Sequence, residues 1–500
     1  MKFDRLSGIL LHPTALPGRE GIGTLGMYAS EFVDFLAESG QSLWQMCPLG
    51  PTGYGNSPYQ CFSAFAGNPL LIDLPLLVED GLLVDDDLVP LESLSESRVD
   101  YPAVITNKLP LLVRAAVAFI ERGANPAFEE FCVKQSAWLD DYARFAAIKV
   151  HFGGVSWSEW EDDLRHRKPE TLAHYDRLLS DEIACQKVLQ FFFFEQWSKL
   201  KRYANEHGVE IVGDIPIFVA FDSADAWANP ELFEFDADMK PIRVAGVPPD
   251  YFSKTGQRWG NPLYDWEYAR KTGFAWWIER VRSSLELSDI IRIDHFRGFV
   301  SCWAVPAEHE TAEHGSWVPA AGVELFEAIK ENLGDLPIIA EDLGVITPEV
   351  EALRDSNGFP GMKVLQFAFD SAEDNDFLPH NYIFNSVVYT GTHDNDTACG
   401  WFENAKPADR QFALDYLDCS EDDFVSKLIR AAWASPSAFA LAPLQDLLEL
   451  GNEARTNLPG TSGGNWEWRF VAGMLHPELA VRLLRLTEVY RRKRPAKTDQ

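Results

Sequence analysis

The chain is short of positive charge. Against 76 aspartates and glutamates stand 44 lysines and arginines, a formal net charge of −32 over 500 residues. Nucleic acid and anionic membrane surfaces call for a basic face, so neither is expected as a partner. Paired cysteines are missing too. The seven present (Cys47, Cys61, Cys132, Cys185, Cys302, Cys399 and Cys419) are scattered, odd in number and without a CxxC spacing. That argues against a disulfide frame or a thiolate zinc site and fits reduced, buried thiols. The opening MKFDRLSGILLHPTALPG carries Asp4 and an apolar run too short for a signal peptide or a span, and no later run reads as long enough. The expected location is the cytoplasm. Internal repeats and low-complexity segments are absent, and the glycines of GPTGYGN and GTSGGN follow no phosphate-loop spacing. No cofactor is expected. Nor is a metal, because His393, Asp394 and Asp396 offer too few oxygens at calcium spacing. The basic tail RRKRPAKTDQ reads as a solvated end.

What is abundant is apolar and aromatic. Hydrophobic residues make up 46% of the chain, with 16 Trp, 33 Phe and 14 Tyr. Most belong in a core; a minority on a cleft wall would give flat platforms with polar tips, suited to sugar rings. Short apolar runs closing on polar or glycine-rich turns recur at Ser7–Leu11, Leu43–Pro48, Glu210–Asp214, Asp289–Asp294, Pro337–Glu341, Lys363–Phe367, Ser386–Thr390 and Phe439–Pro443. Near-continuous hydrophobicity is the mark of parallel strands covered on both faces. Amphipathic stretches lie between them, such as Ala29–Ser39, Gly273–Leu285, Gly322–Asn332 and Gln411–Leu417. The alternation predicts an α/β fold, a (β/α)₈ TIM barrel spanning residues 1–500 as a single catalytic unit. Two long departures interrupt it. Residues 70–200 read as an inserted, largely helical subdomain, with helices at Leu109–Arg122 and Glu182–Asn205, and 220–266 as an inserted loop region rich in Pro, Gly and aromatics. Loops that follow barrel strands stand at the C-terminal mouth, where sites are built.

Carboxylates fall where a barrel would gather them. Asp214 ends IVGDIP, Asp294 ends IIRID, Glu341 ends LPIIAE and Asp394 follows VVYTGTH. An ionisable group at the end of an apolar strand is costly unless paired or solvated in a site. One could be a helix cap; several on separate strands converge on one mouth. The chemistry that wants carboxylates and no nucleophilic Ser or Cys is glycosyl transfer, in which one carboxylate attacks the anomeric carbon and a protonated one supplies the leaving oxygen. Arg292, two residues before Asp294, projects on the same strand face and would hold that Asp ionised. Partial burial would raise the pKa of Glu341, as an acid requires.

The strings RIDHFRGF, IIAEDLG, GDIPIFV, YTGTHDNDT, GYGNSPYQ and GNWEWR, from LLHPTALPG to GNWEWRF, resemble the amylomaltases, family 77 of the glycoside hydrolases and relatives of the α-amylases. The resemblance implies 4-alpha-glucanotransferase activity on α-1,4-glucans, with Asp294 as nucleophile, Glu341 as general acid/base and Asp394 as a third carboxylate gripping sugar hydroxyls. It places Asp214, Arg292, His295, Asp370 and His393 around the same sugar, and Ser57 and Tyr59 in a glucan-contacting segment. Gln257, Trp259 and Asn261, in GVPPDYFSKTGQRWGNP, match a mobile loop closing over the cleft. Asn465 in GNWEWR is a further candidate contact, though amides at Gln257 and Asn465 serve loop backbone equally well. The alternative is an amylase-type hydrolase with the same carboxylates and water as acceptor. A non-catalytic glucan binder would have no need of both Asp294 and Glu341.

Overall fold

The computed structural model describes residues 3–249, 253–370, 375–461 and 463–494. Its strands, in chain order, are β1 (Leu6–Leu10), β2 (Leu43–Gln45), β3 (Glu210–Pro216), β4 (Arg243–Val247), β5 (Gln257–Pro262), β6 (Ile290–Asp294), β7 (Ser301–Pro306), β8 (Ser316–Pro319), β9 (Ile338–Ala340), β10 (Gly361–Val364), β11 (Ser386–Tyr389) and β12 (Phe439–Pro443). Eight close into a parallel barrel in the order β1-β12-β11-β10-β9-β6-β3-β2. All eight correspond to apolar runs of the sequence, because a parallel strand buried on both faces has no polar side to alternate with. The interior is filled, not hollow: Leu6, Leu43, Val212, Ile290, Ile339, Met362, Val387 and Phe439 pack as one buried cluster. Gly8 of β1 lies opposite Leu43 of β2. A Cβ there would meet the Leu43 carbonyl oxygen at 2.2 Å, so no other residue fits.

The expected strand Lys363–Phe367 begins earlier, at Gly361, and stops at Val364, since Leu365–Phe367 turns into a 3₁₀ helix. The long departure between β2 and β3 is helical: Leu74–Glu79, Tyr101–Glu121, Pro126–Lys134, Leu139–His151 and Pro169–Leu178 lead into Ser180–Glu206, which lies against the Met27–Glu38 helix and delivers the chain to β3. The Tyr101–Glu121 helix starts at an Asp100 cap that accepts the Ala103 N–H. By length and composition it could cross a membrane, contrary to the sequence expectation that no run is long enough. Here it packs on the Ser180–Glu206 helix, with Lys108 fully buried mid-helix against Glu20.

The 220–266 segment is not simply loop. It contributes β4 and β5, which join β7 and β8 in a four-stranded antiparallel sheet of order β5-β4-β7-β8. β7 follows directly on the turn that ends β6 and packs on it, so this sheet stands beside the end of β6 at the barrel mouth.

Candidate functional site at the barrel mouth

On β6 the two-residue period puts Arg292 and Asp294 on one face, as expected. Arg292, 4% exposed, sets its guanidinium 3.0 Å from Asp294 Oδ1 through Nη2 and 2.6 Å from Asp214 Oδ2 through Nη1. Asp214 is the direct cross-strand neighbour of Arg292 on β3. Its Oδ2 also accepts the Tyr59 hydroxyl at 2.8 Å, and Arg292 Nε faces Met362 Sδ at 3.4 Å. One arginine thus joins two strand-end carboxylates. Burial pushes Asp214 up to about 6, with Arg292 pulling the other way. Burial also works against the charge on Arg292, but Asp214 and Asp294 outweigh it and hold the guanidinium protonated.

Glu341 stands just beyond β9. Its Oε1 accepts the Leu343 N–H at 2.9 Å and its Oε2 accepts the His295 N–H at 2.6 Å. The second contact depends on backbone geometry. His295 adopts the left-handed region, φ 50° and ψ 49°, immediately after Asp294, and strain of that kind is held only where surrounding contacts insist on it. Burial, then the charge of Asp294, push Glu341 up to about 8, against Arg292 and the two N–H donors. The carboxyl is therefore protonated at neutral pH. The His295 ring is pushed down to about 4 by burial, with Asp294 opposing, so it is neutral. Its Nε2 is buried without a hydrogen-bond partner, and the Trp259 indole meets its ring edge-on at 4.8 Å.

Asp394 lies on the loop after β11, half exposed at 49%. Its Oδ1 accepts the Asn457 amide at 2.6 Å and its Oδ2 lies 3.4 Å from His393 Nε2. His393 is buried, its ring stacked on Tyr59 at 5.0 Å with Trp466 behind at 5.7 Å. Asp396 belongs elsewhere: its carboxylate takes the Thr397 N–H and the Asn452 amide.

Other expected residues take supporting places. Ser57 Oγ accepts the Tyr59 N–H at 3.2 Å, shaping the turn that presents the tyrosine. Gln257 opens β5 and accepts the Trp259 indole N–H at 3.2 Å, steering the ring. Asn261, expected on the loop that closes over the cleft, is 4% exposed; its amide donates to the Val219 carbonyl and accepts from Gln60, tying two loops together. Asn465 accepts the Leu458 N–H and donates to Thr461, so its amide serves neighbouring loop groups. Asp370 is exposed beyond the turn that ends β10. Residues that sequence reasoning passed over are Asn457, Arg455, Trp466 and Met362. Asn457, Arg455 and Trp466 lie neither at a strand end nor in an apolar run, and the GNWEWR string, which contains Trp466, was the sole signal for them; Met362 lies within β10, one residue before the run expected there.

A pocket lies beside β2 and β3, lined by Cys47, Tyr59, Cys61, Asp214 and Arg280 among others. It shares Tyr59 and Asp214 with the site, and Asp294, Glu341 and Asp394 are not among its lining residues.

Residues 11–473 match the family model described as 4-alpha-glucanotransferase. A 4-alpha-glucanotransferase of Synechocystis is 53% identical over 500 residues, 99% of each chain, and one of Thermus thermophilus is 49% identical, covering 98% of this chain and all of its own. Among solved structures, an amylomaltase from Streptococcus agalactiae in complex with acarbose superposes with a TM-score of 0.96 at 43% identity, over 98% of this chain and 100% of that one.

Proposed function

The chain belongs to the 4-alpha-glucanotransferases of glycoside hydrolase family 77, and from that premise we propose that it transfers α-1,4-glucan segments by a retaining double displacement at Asp294. The observation that carries the assignment is the link between the two chemical groups: the N–H of His295, the residue after Asp294, is bonded to Glu341 Oε2 at 2.6 Å. Nucleophile and acid are thereby set by one turn of backbone.

In the first step the Asp294 carboxylate, anchored by Arg292, attacks the anomeric carbon of the donor. The bond from that carbon to the glycosidic oxygen breaks as the proton of Glu341 passes to the oxygen, and the reducing-end fragment departs with a free 4-hydroxyl. A β-linked glycosyl ester remains on Asp294. In the second step the 4-hydroxyl of a glucose or another glucan gives its proton to Glu341 and attacks the same carbon from the opposite face of the ester. The bond to Asp294 breaks, the α configuration is restored and both carboxyl groups return to their starting states. Asp394 grips sugar hydroxyls beside the reacting ring, while Tyr59, stacked on His393, offers it a flat face. Sugar wins over water because a held hydroxyl has the advantage of a positioned reactant. The Trp259 indole, steered by Gln257 and set against His295, supplies part of that hold. The α-amylase-type hydrolase uses the same carboxylates but lacks this preference.

Incubating the pure protein with maltotriose separates these readings. Transfer yields a ladder of longer maltooligosaccharides together with free glucose on a thin-layer plate. Glucose and maltose alone would mean hydrolysis.

A further inference from the structure

Asp394 is the least buried of the carboxylates gathered at the barrel mouth, and on its own loop its side chain meets His393, whose Nε2 lies 3.4 Å from Oδ2. The loop is fastened at both ends by one buried group: Asp446, 1% exposed, accepts the Thr390 hydroxyl at 2.5 Å and the Ala398 N–H at 2.7 Å. Between those ends the grip comes from the segment after β12. The backbone N–H of Asn457 donates to the His393 carbonyl at 3.1 Å, and its side-chain amide donates to Asp394 Oδ1 at 2.6 Å. Arg455 completes the grip, donating to the Asp394 carbonyl at 2.7 Å and to the Asn457 carbonyl at 2.8 Å. With its backbone tied to His393, Asn457 has little freedom to move its amide, so the carboxylate must conform to it.

We infer that Asn457 is a positioning residue for transfer: its amide holds one oxygen of Asp394 and so turns the other toward the sugar hydroxyls. The inference rests on the reading of Asp394 as the third carboxylate of the site. An amide is the right group. It is a donor, which a carboxylate acceptor needs, and it is uncharged, so it leaves the negative charge of Asp394 for the substrate.

The test uses Asn457→Ala, Asn457→Asp and, as a control on the underlying reading, Asp394→Asn. Losing a donor to a charged acceptor should lower kcat/KM of Asn457→Ala by about ten- to hundredfold. Asn457→Asp keeps the shape but sets a second carboxylate against Asp394, so its loss at neutral pH should be at least as large. As the pH falls that pair takes up a proton, and the resulting O–H can donate as the amide did. The activity of Asn457→Asp relative to wild type should therefore climb about tenfold between about pH 7 and about pH 5, while the Asn457→Ala ratio stays flat. The other titratable and charged groups around Asp394 and His393 (Arg455, Asp396, Tyr59, His12 and Asp214) are common to wild type and variants and cancel in these ratios. A loop brace without a positioning role would give no proton-dependent recovery. A flat Asn457→Asp ratio, or wild-type kcat/KM in folded Asn457→Ala, overturns the inference while Asp394→Asn remains inactive. An active Asp394→Asn overturns instead the reading on which it rests. If Asn457→Ala fails to fold, the pH dependence of Asn457→Asp decides alone.

Discussion

In the proposed mechanism Glu341 holds a proton when a donor glucan arrives and gives it up when the bond breaks. Its surroundings are mixed: two backbone N–H groups favour the carboxylate, whereas burial and the charge of Asp294 favour the acid. Burial and charge win, placing the group at about 8. A raised carboxyl pKa means the catalytically competent, protonated form persists below that value and is lost above it. The basic limb of kcat/KM against pH should accordingly fall with a midpoint near 8. A basic limb falling in the ordinary carboxylate range would show that Glu341 is not the acid. His295 is held neutral by burial, its ring carrying no charge at neutral pH. Its backbone does the work by taking a left-handed turn that aims an N–H at Glu341, and its ring closes the floor under Trp259.

At the scale of elements, the Tyr101–Glu121 helix is held to the barrel by a charge that cannot reach water. Lys108 Nζ lies 2.7 Å from Glu20 Oε2 and donates to the Leu70 carbonyl at 2.8 Å, with both side chains essentially unexposed. Removing one partner strands the other, so Lys108→Met should destabilise the protein by ~3–5 kcal/mol in urea unfolding, and Glu20→Leu in the same chain should recover most of that. An effect of the single change within ~0.5 kcal/mol would refute the anchoring role. How much of this was legible in the sequence follows from how each element earns its stability. The barrel strands were legible because burial on both faces writes them as apolar runs; β10 was misplaced because Gly361 has no side chain to carry the signal. β5 and β8 were not, since QRWGNP is largely polar and SWVP mostly exposed. The strand-end carboxylates and Arg292 were legible from position and the period of two. Asn457 and Arg455 were not, because a loop residue acquires its partner only when the barrel closes and brings β11 beside β12.

Across the whole molecule no single element contains the site. β3, β6, β9 and β11 each deliver a carboxylate at or beyond their C-terminal ends, the segment after β2 supplies Tyr59, and the segment after β12 supplies Asn457 and Trp466. The closed barrel makes this economical, because every strand ends on the same face and the eight-strand circuit fixes their spacing. The account's central claim is that this assembly carries a glycosyl group covalently on Asp294. The most direct measurement is intact-protein mass spectrometry of Glu341→Gln exposed to α-maltotriosyl fluoride. Fluoride leaves without an acid, so the first step proceeds while the base needed for the second is gone. The protein should gain the mass of one maltotriosyl group, and peptide mapping should place it on Asp294. No adduct in a folded variant that consumes the fluoride, or an adduct on any other residue, would contradict the claim.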